Sequence, residues 1–371
     1  MFSSRTNNLP MQPVSALIVG AGPAGLKLSR ELNRRGISNL VVEKDGAGSS
    51  WHKMPKTMHL VSPWWTNTLD IRHTFKHLPW TMVSAEDYYK YLQEYSSQFN
   101  ISIHSGYEVQ TVRPCSEQQE FLIETSKGFL KAKSVIFATG YFSCPAAPLP
   151  NYASDGTIPN SHVSKLRDGN VLARLPAGAR VVIVGKRISA GQLMVQLHDK
   201  GFNVVLSCRP PVQFRADGLY GAMKDSMYYL YEEFLLKLRP RLKSPSFPVM
   251  DGGRSRWLIE NNKISVKPPI NKIRDYKIQF EDGSYLAADY VIDATGYHPA
   301  FPDLSFVIRS FDKHGLPMLS HWESVDTPGI YFLGLDNRMN YRSRTLRGIR
   351  SDAQKLANQI RKREQESFET Y

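Results

Sequence analysis

The stretch Val14-Ser-Ala-Leu-Ile-Val-Gly20-Ala-Gly22-Pro23-Ala24-Gly25 decides the fold. An apolar run of strand length meets three glycines spaced G-x-G-x-x-G, and a helical segment over about 24–36 follows. A second apolar run, 39–42, ends at Glu43 and Lys44. Strand, glycine turn, helix, strand and acid together form a βαβ unit of about 30 residues. Gly20 permits the tight turn, Gly22 lets the backbone approach a pyrophosphate, and Gly25 lets the helix pack closely on the strand. The helix N-terminus at Pro23 and Ala24 favours phosphate charge, and Glu43 accepts from a ribose 2′-hydroxyl. The unit predicts an α/β fold that holds a dinucleotide at its first turn.

The pattern recurs in weaker form. A strand at 179–184 leads into Gly185-Lys186-Arg187-Ile-Ser189-Ala190, and another at 203–207 ends near Arg209. An arginine there suits a 2′-phosphate, so NADPH is expected over NADH. Arg187 holds the second glycine's place; its guanidinium offers a phosphate contact where close backbone approach is lost. Ser189 reads first as a helix N-cap and second as a phosphate ligand. Two further segments, Ser134-Val-Ile-Phe-Ala-Thr139-Gly140 and Tyr290-Val-Ile-Asp-Ala-Thr-Gly296, both end in Ala-Thr-Gly. They read as the junctions where the chain leaves the first domain and returns to it. The expected organisation is two Rossmann-like dinucleotide-binding domains. The first is discontinuous, 1–150 and 290–371, and the second spans 151–289 with a helical insertion at about 212–245.

Bulk properties agree with two globular domains. The chain has 371 residues, 42% hydrophobic and 22% charged, a length and composition that suit two packed cores and argue against disorder. No apolar run is long enough to span a bilayer. Residues 1–12 are polar and read as a short lead without a secretion signal. Cys115, Cys144 and Cys208 are far apart with no CxxC, which excludes a metal cage and a redox-active pair of neighbouring cysteines. A soluble protein of the reducing cytoplasm is expected, and a homodimer is left open. The net charge of +13 comes from scattered residues without a nucleic-acid signature, and phosphate-rich cofactors favour such a field. The basic stretch 342–363 reads as a solvated or cofactor-steering face of a C-terminal helix. The segment 219–243, with Met227, Tyr231, Phe234, Leu235 and Leu238 at helical spacing, reads first as a helix packing its apolar face on the domain and second as a membrane-touching helix.

With these residues in place, the sequence resembles the class B flavoprotein monooxygenases, and within them the compact bacterial flavin-containing type. The resemblance runs from about Val14 to Ile360. It rests on the order of the first fingerprint, Glu43, Gly48-Ser-Ser-Trp51, Met58-His59-Leu-Val-Ser62-Pro63, the Phe137-Ala-Thr-Gly140 segment, the second fingerprint and Asp293-Ala-Thr-Gly-Tyr297. It implies FAD in the first domain and NADPH in the second. It also implies a cycle in which NADPH reduces FAD, oxygen adds to give a C4a-(hydro)peroxyflavin, and that species oxygenates a small-molecule nitrogen, sulfur or ketone. Trp51, Met58, His59, Val61, Ser62, Trp64, Thr345 and Leu346 are the residues the resemblance sets around the flavin ring, although Trp64 reads equally as a core or interface aromatic. Val109 is set at the adenine and Asp336 at the ribityl chain. Val61 stands where many members carry an asparagine, with Asn67 as a nearby substitute. The family's Phe-x-Gly-x-x-x-His segment is replaced by Ser154-Asp-Gly156-Thr-Ile-Pro-Asn160, with His162 two residues late. Oxygenation at nitrogen or sulfur is therefore expected over Baeyer–Villiger insertion. Two alternatives stay open: an FAD oxidase or dehydrogenase with a weakened nicotinamide site, and a basic flavoprotein that binds nucleic acid or a membrane surface.

Overall fold

The computed structural model describes residues 13–70, 77–115, 120–142, 144–146, 152–167, 172–216, 218–243 and 249–369. The polar lead 1–12 and the domain boundary expected near 150 lie outside them. The elements that build the first unit are β1 (Val14–Val19), α1 (Pro23–Asn33), β2 (Asn39–Glu43), α2 (Ala85–Gln98), β3 (Ile103–Ser105), β4 (Val109–Cys115), β5 (Glu120–Thr125) and β6 (Gly128–Phe137). The second unit holds β7 (Asn160–His162), β8 (Arg180–Val184), α3 (Ile188–Asp199), β9 (Asn203–Ser207), α4 (Gly218–Leu238), β10 (Ser265–Lys267) and β11 (Tyr290–Asp293). The chain then adds β12 (Ile330–Phe332) and α5 (Leu346–Glu369) to the first unit.

Each unit centres on its glycine-turn strand. In the first sheet the parallel order is β3-β2-β1-β6-β12, and β4 and β5 form an antiparallel meander onto β6. In the second the parallel order is β10-β9-β8-β11-β7. Both faces are covered, so the central strands are apolar throughout, as buried parallel strands must be. The two-residue period divides them: Ala16 and Ile18 join one cluster with Leu26, Leu28 and Tyr88, while Leu17 and Val19 join Val42, Phe137 and Phe332.

The strand 290–293 was expected to open the returning segment. Its structure differs: β11 pairs in register with β8, Val181 opposite Tyr290 and Val184 opposite Asp293. It is the second unit's counterpart of β6, and the chain reaches β12 of the first sheet only after Gly296. The duplication extends to single contacts. Gly20 has φ of +110°, and a Cβ there would lie 2.5 Å from the Ala138 carbonyl oxygen; Gly185 has φ of +145° and meets the Ala294 carbonyl at the same 2.5 Å. Each Ala-Thr-Gly segment thus closes over the glycine turn of its own unit, which explains why the motif occurs twice.

Helix α4 also departs from expectation. Met227, Tyr231, Phe234 and Leu238 face solvent, at 57–70% exposure, while Tyr229, Glu232 and Leu236 face inward. Ion pairs set that rotation. The buried Glu232 accepts from Arg347 Nε at 2.6 Å and Nη2 at 2.8 Å, and these bonds would be lost if the apolar stripe turned in. The basic stretch 342–363 is correspondingly less solvated than expected. Arg342 is buried, Arg347 is bound to Glu232, and Arg350 donates to the Trp65 carbonyl at 2.9 Å.

Candidate functional site

A cleft of about 1190 Å³ lies between the two units and reaches from Glu43, Lys44 and Val109 at one end to Lys186 and Arg209 at the other. Three helices direct their N-termini into it: α1 through Gly22, Pro23 and Ala24, α3 through Arg187 and Ser189, and α5 through Thr345 and Leu346. None of the three carries an acid in its first turn. Thr345 caps α5 by accepting from the Gly348 N–H at 3.2 Å; the positive dipole ends of the three helices make the cleft attractive to anions.

At the first turn Glu43 already acts as an acceptor. Its Oε2 takes the Ala21 N–H at 2.8 Å and its Oε1 the Asp45 N–H at 3.1 Å, which fixes the carboxylate at the cleft wall with lone pairs to spare for a ribose. Gly22 would place a Cβ in open space, with nothing within 4 Å. Gly25 is the packing glycine: its Cβ would collide with the Gly20 carbonyl at 1.9 Å, and it does not line the cleft. Thr139 and Gly140 do line it, and the buried Thr139 Oγ1 has no hydrogen-bond partner. A buried hydroxyl without a partner beside an open glycine cradle is what a bound dinucleotide would complete. The residues present fit FAD at this end.

The second turn is built alike but occupied differently. Lys186 Nζ donates to the carbonyls of Arg209 and Pro211, at 2.8 and 3.2 Å, so it ties down the arginine strand end. Arg187 is the N-cap of α3 in extended conformation and lines the cleft, with no side-chain capping bond. Three cations, Lys186, Arg187 and Arg209, surround this end, and the residues fit a nicotinamide dinucleotide carrying an extra phosphate.

Between the ends lies the loop 57–67, held by both units. Gln192 on α3 accepts from the His59 N–H at 2.8 Å and donates to the His59 carbonyl at 3.1 Å, and Thr57 donates to Gln196 at 2.8 Å. Met58 lies 4.0 Å from the Ser189 hydroxyl. Ser62 donates to Asn67 Oδ1 at 2.7 Å, and Asn67 Nδ2 donates back to the Ser62 carbonyl at 2.8 Å. Ser62, Asn67, Trp51, Met58 and His59 all line the cleft. Trp64 does not. It is fully buried, its ring edge-on to Tyr91 at 4.9 Å, and so serves as a core aromatic. Asp336 is outside the cleft too, paired with Arg344 at 3.3 Å, and it is Arg344 that reaches the lining.

Some lining residues escaped sequence reading. Tyr229, Arg344 and Arg347 line the cleft; the two arginines belong to the stretch read as solvated or cofactor-steering and agree with the second of these, while Tyr229 sits opposite the apolar stripe of α4. Only the buried acid Glu232, one turn from Tyr229, signalled that α4 turns that side inward. At the hinge, Asp293 is 2% exposed, and burial pushes its pKa up to about 6, with the Tyr152 hydroxyl 3.4 Å away. His162 accepts from the Ser164 N–H through Nδ1 at 3.2 Å, and its Nε2 lies 3.0 Å from the Gly296 carbonyl. Burial lowers its pKa, so the neutral ring acts as a strut. Cys208 lines the cleft, but burial pushes its thiol pKa up, and all three cysteines are free. That environment is the opposite of one that activates a thiolate.

Residues 17–221, more than half of the chain, match the model of the pyridine nucleotide-disulphide oxidoreductases. The chain belongs to that family. Among curated relatives, an uncharacterized CzcO-like oxidoreductase of Geobacillus kaustophilus is 26% identical, across 94% of this chain and 98% of its own. A probable indole-3-pyruvate monooxygenase of Arabidopsis thaliana, YUCCA4, is 25% identical across 93% and 89%. Among solved structures, a flavin-containing monooxygenase from Stenotrophomonas maltophilia superposes with a TM-score of 0.72 at 20% identity, covering 94% of this chain and 98% of that one. The ornithine N-hydroxylase of Kutzneria sp. 744, solved with reduced FAD, NADP+ and L-ornithine, gives 0.70 at 16%, covering 95% and 100%. The family match and these folds agree with two dinucleotide sites facing one cleft.

Proposed function

We propose that this oxidoreductase is an FAD-dependent monooxygenase that uses NADPH and oxygen to oxygenate a small-molecule nitrogen or sulfur centre. The observation that carries the proposal is the single cleft shared by two glycine-turn units, one ending in Glu43 and the other in Arg209. FAD, held by the first unit, would supply the redox chemistry between NADPH and oxygen. The chain's own residues do the rest. Gly22 and the α1 N-terminus hold the pyrophosphate, Glu43 the ribose, and the orphaned Thr139 hydroxyl a polar group of the cofactor. The N-terminus of α5 at Thr345 and Leu346 would offer its positive dipole end to an anionic cofactor in the cleft. The Ser62–Asn67 pair and Met58 would supply part of the wall of the reaction site, and the two hydrogen bonds between Gln192 and His59 hold that segment in place.

The balance is one NADPH, one proton and one O2 consumed for one oxygen placed on the substrate, with NADP+ and water released. Absorbance of the FAD-loaded protein, followed anaerobically with NADPH and then on mixing with oxygen and a panel of amines and sulfides, tests the proposal. The expected result is fast flavin bleaching, then re-oxidation with one oxygenated product per NADPH. FAD that stays oxidised under NADPH yet bleaches with an organic substrate would instead mark an oxidase whose second unit is structural.

A further inference from the structure

The outward face of α4 carries an apolar stripe from Tyr220 to Leu238. Tyr220, Met223, Met227, Leu230, Tyr231, Phe234 and Leu238 recur at three- and four-residue spacing and are 57–72% exposed. A soluble domain buries such a stripe unless something else covers it. The acids of the helix are all paired, Glu232 buried and Glu233 about half exposed. Asp225 pairs with Arg215, Glu232 with Arg347, and Glu233 with Arg342. The cations remain at the outer side: Lys224, Lys237, Arg239 and Arg241 are all exposed. We propose that this face docks on an anionic phospholipid bilayer, with α4 lying in the plane of the headgroups.

Three observations select that occupant. First, the helix is not apolar enough to span: among the described residues no helix qualifies as a membrane crossing. An amphipathic helix with aromatic and Leu/Met side chains on one face and flanking Lys and Arg lies in the interface instead. Second, a cavity of about 310 Å³ opens just beyond the helix end, lined by Arg241, Lys243, Ser320, His321 and Arg338. Asp312 pairs with Arg338 at 2.7 Å and offsets one of these charges. Arg241 and Lys243 remain, and the buried Arg338 Nε has no partner, so the cavity suits one phosphate group. Third, the adjoining loop carries Leu78 and Trp80, 63% and 61% exposed. That loop is tied to the helix because the Trp65 N–H donates to the Pro79 carbonyl and the Trp65 ring lies 6.3 Å from that of Tyr229. A second copy of the chain would have to bring two such basic faces together within a net charge of +13 each, whereas an anionic lipid surface offsets them.

The test is co-sedimentation of the full-length, FAD-loaded protein with vesicles of phosphatidylglycerol mixed with phosphatidylcholine, and with phosphatidylcholine alone. Binding is expected to the anionic vesicles, at least about tenfold weaker to the neutral ones, and falling as salt rises. The double variant Met227→Ser/Phe234→Ser and the double variant Lys224→Glu/Lys237→Glu should each lose about tenfold or more in partitioning. Their unchanged melting temperature and flavin spectrum would confirm folding. Failure to bind anionic vesicles overturns the proposal. So does binding that both variants retain, or binding that inorganic phosphate displaces fully with no dependence on Met227 and Phe234, which would assign the cavity to a free anion. A concentration-dependent dimer in sedimentation velocity that Phe234→Ser dissociates would likewise overturn it in favour of a second copy.

Discussion

At the residue scale, the glycines of one fingerprint should respond very differently to the same methyl group. Gly20 has positive φ and a carbonyl 2.5 Å from where a Cβ would stand. Gly20→Ala should therefore destabilise the apoprotein itself, by about 2 kcal/mol or more from strain and collision. Gly22 has φ of −81° and open space beside it. Gly22→Ala should cost the apoprotein less than about 1 kcal/mol while weakening FAD binding by about tenfold or more, since the new methyl group enters the cradle. Denaturant melts of apoprotein together with FAD titration by flavin fluorescence separate the two. Equal loss of stability in both variants would mean that Gly22 is not the point of cofactor approach. Asp293 gives a second residue-scale test. Burial raises its folded pKa to about 6, above an unfolded value near 3.9, so the folded state binds the extra proton. Stability is then highest below the unfolded pKa and falls as pH rises through about 6, by up to about 3 kcal/mol. Asp293→Asn should remove that slope and raise the melting temperature at pH 7–8. A wild-type melting temperature flat from pH 4 to 7 would show that Asp293 titrates normally.

At the element scale, the decisive object is the contact between α4 and the start of α5. Burial works against ionisation of Glu232, but the hydrogen bonds from Arg347 prevail and hold its pKa below the usual range. The sign is opposite to that of Asp293. Its stabilisation is complete above the unfolded carboxylate pKa and is lost as pH falls through the depressed folded value. Glu232→Gln leaves Arg347 and Arg342 without their buried anion, and urea unfolding should show a loss of about 3 kcal/mol. Because Arg347 and Tyr229 line the cleft, the same variant should weaken cofactor binding, whereas Phe234→Ser on the outer face should not. This contact also shows what the sequence could convey. The strands, the glycine turns and their helices were legible, because each is specified by local periodicity and by neighbours within about 30 residues. The rotation of α4 was not, since it depends on Glu232 meeting arginines more than a hundred positions away. The same limit applies to Trp64, whose partners Tyr88 and Tyr91 come from α2, and to β11, whose sheet is decided by a pairing with β8 that no local pattern encodes. The second-unit contacts of the 57–59 loop were invisible for the same reason: Gln192 is an ordinary helix residue until the two units meet.

At the scale of the whole molecule, the two units share one cleft but load it with different charges. The end at Glu43 mixes backbone, carboxylates and Lys44; the opposite end is set by Lys186, Arg187 and Arg209, within a chain of net charge +13. A diffuse positive field speeds the arrival of either nicotinamide dinucleotide, and salt screens it over a Debye length of about 10 Å at 0.1 M. A contact between Arg209 and a 2′-phosphate is instead specific to NADPH and persists at short range. The two contributions can be separated in steady-state kinetics. In the wild type, kcat/KM for NADPH should exceed that for NADH by about tenfold or more, and raising salt should lower both. In Arg209→Ala the preference should collapse towards unity, almost wholly through KM for NADPH, with FAD content unchanged. If the preference survives in Arg209→Ala but is lost in Arg187→Ala, then the arginine in the second glycine's place is the phosphate ligand. The substitution that weakens the second fingerprint would in that case be what makes it selective.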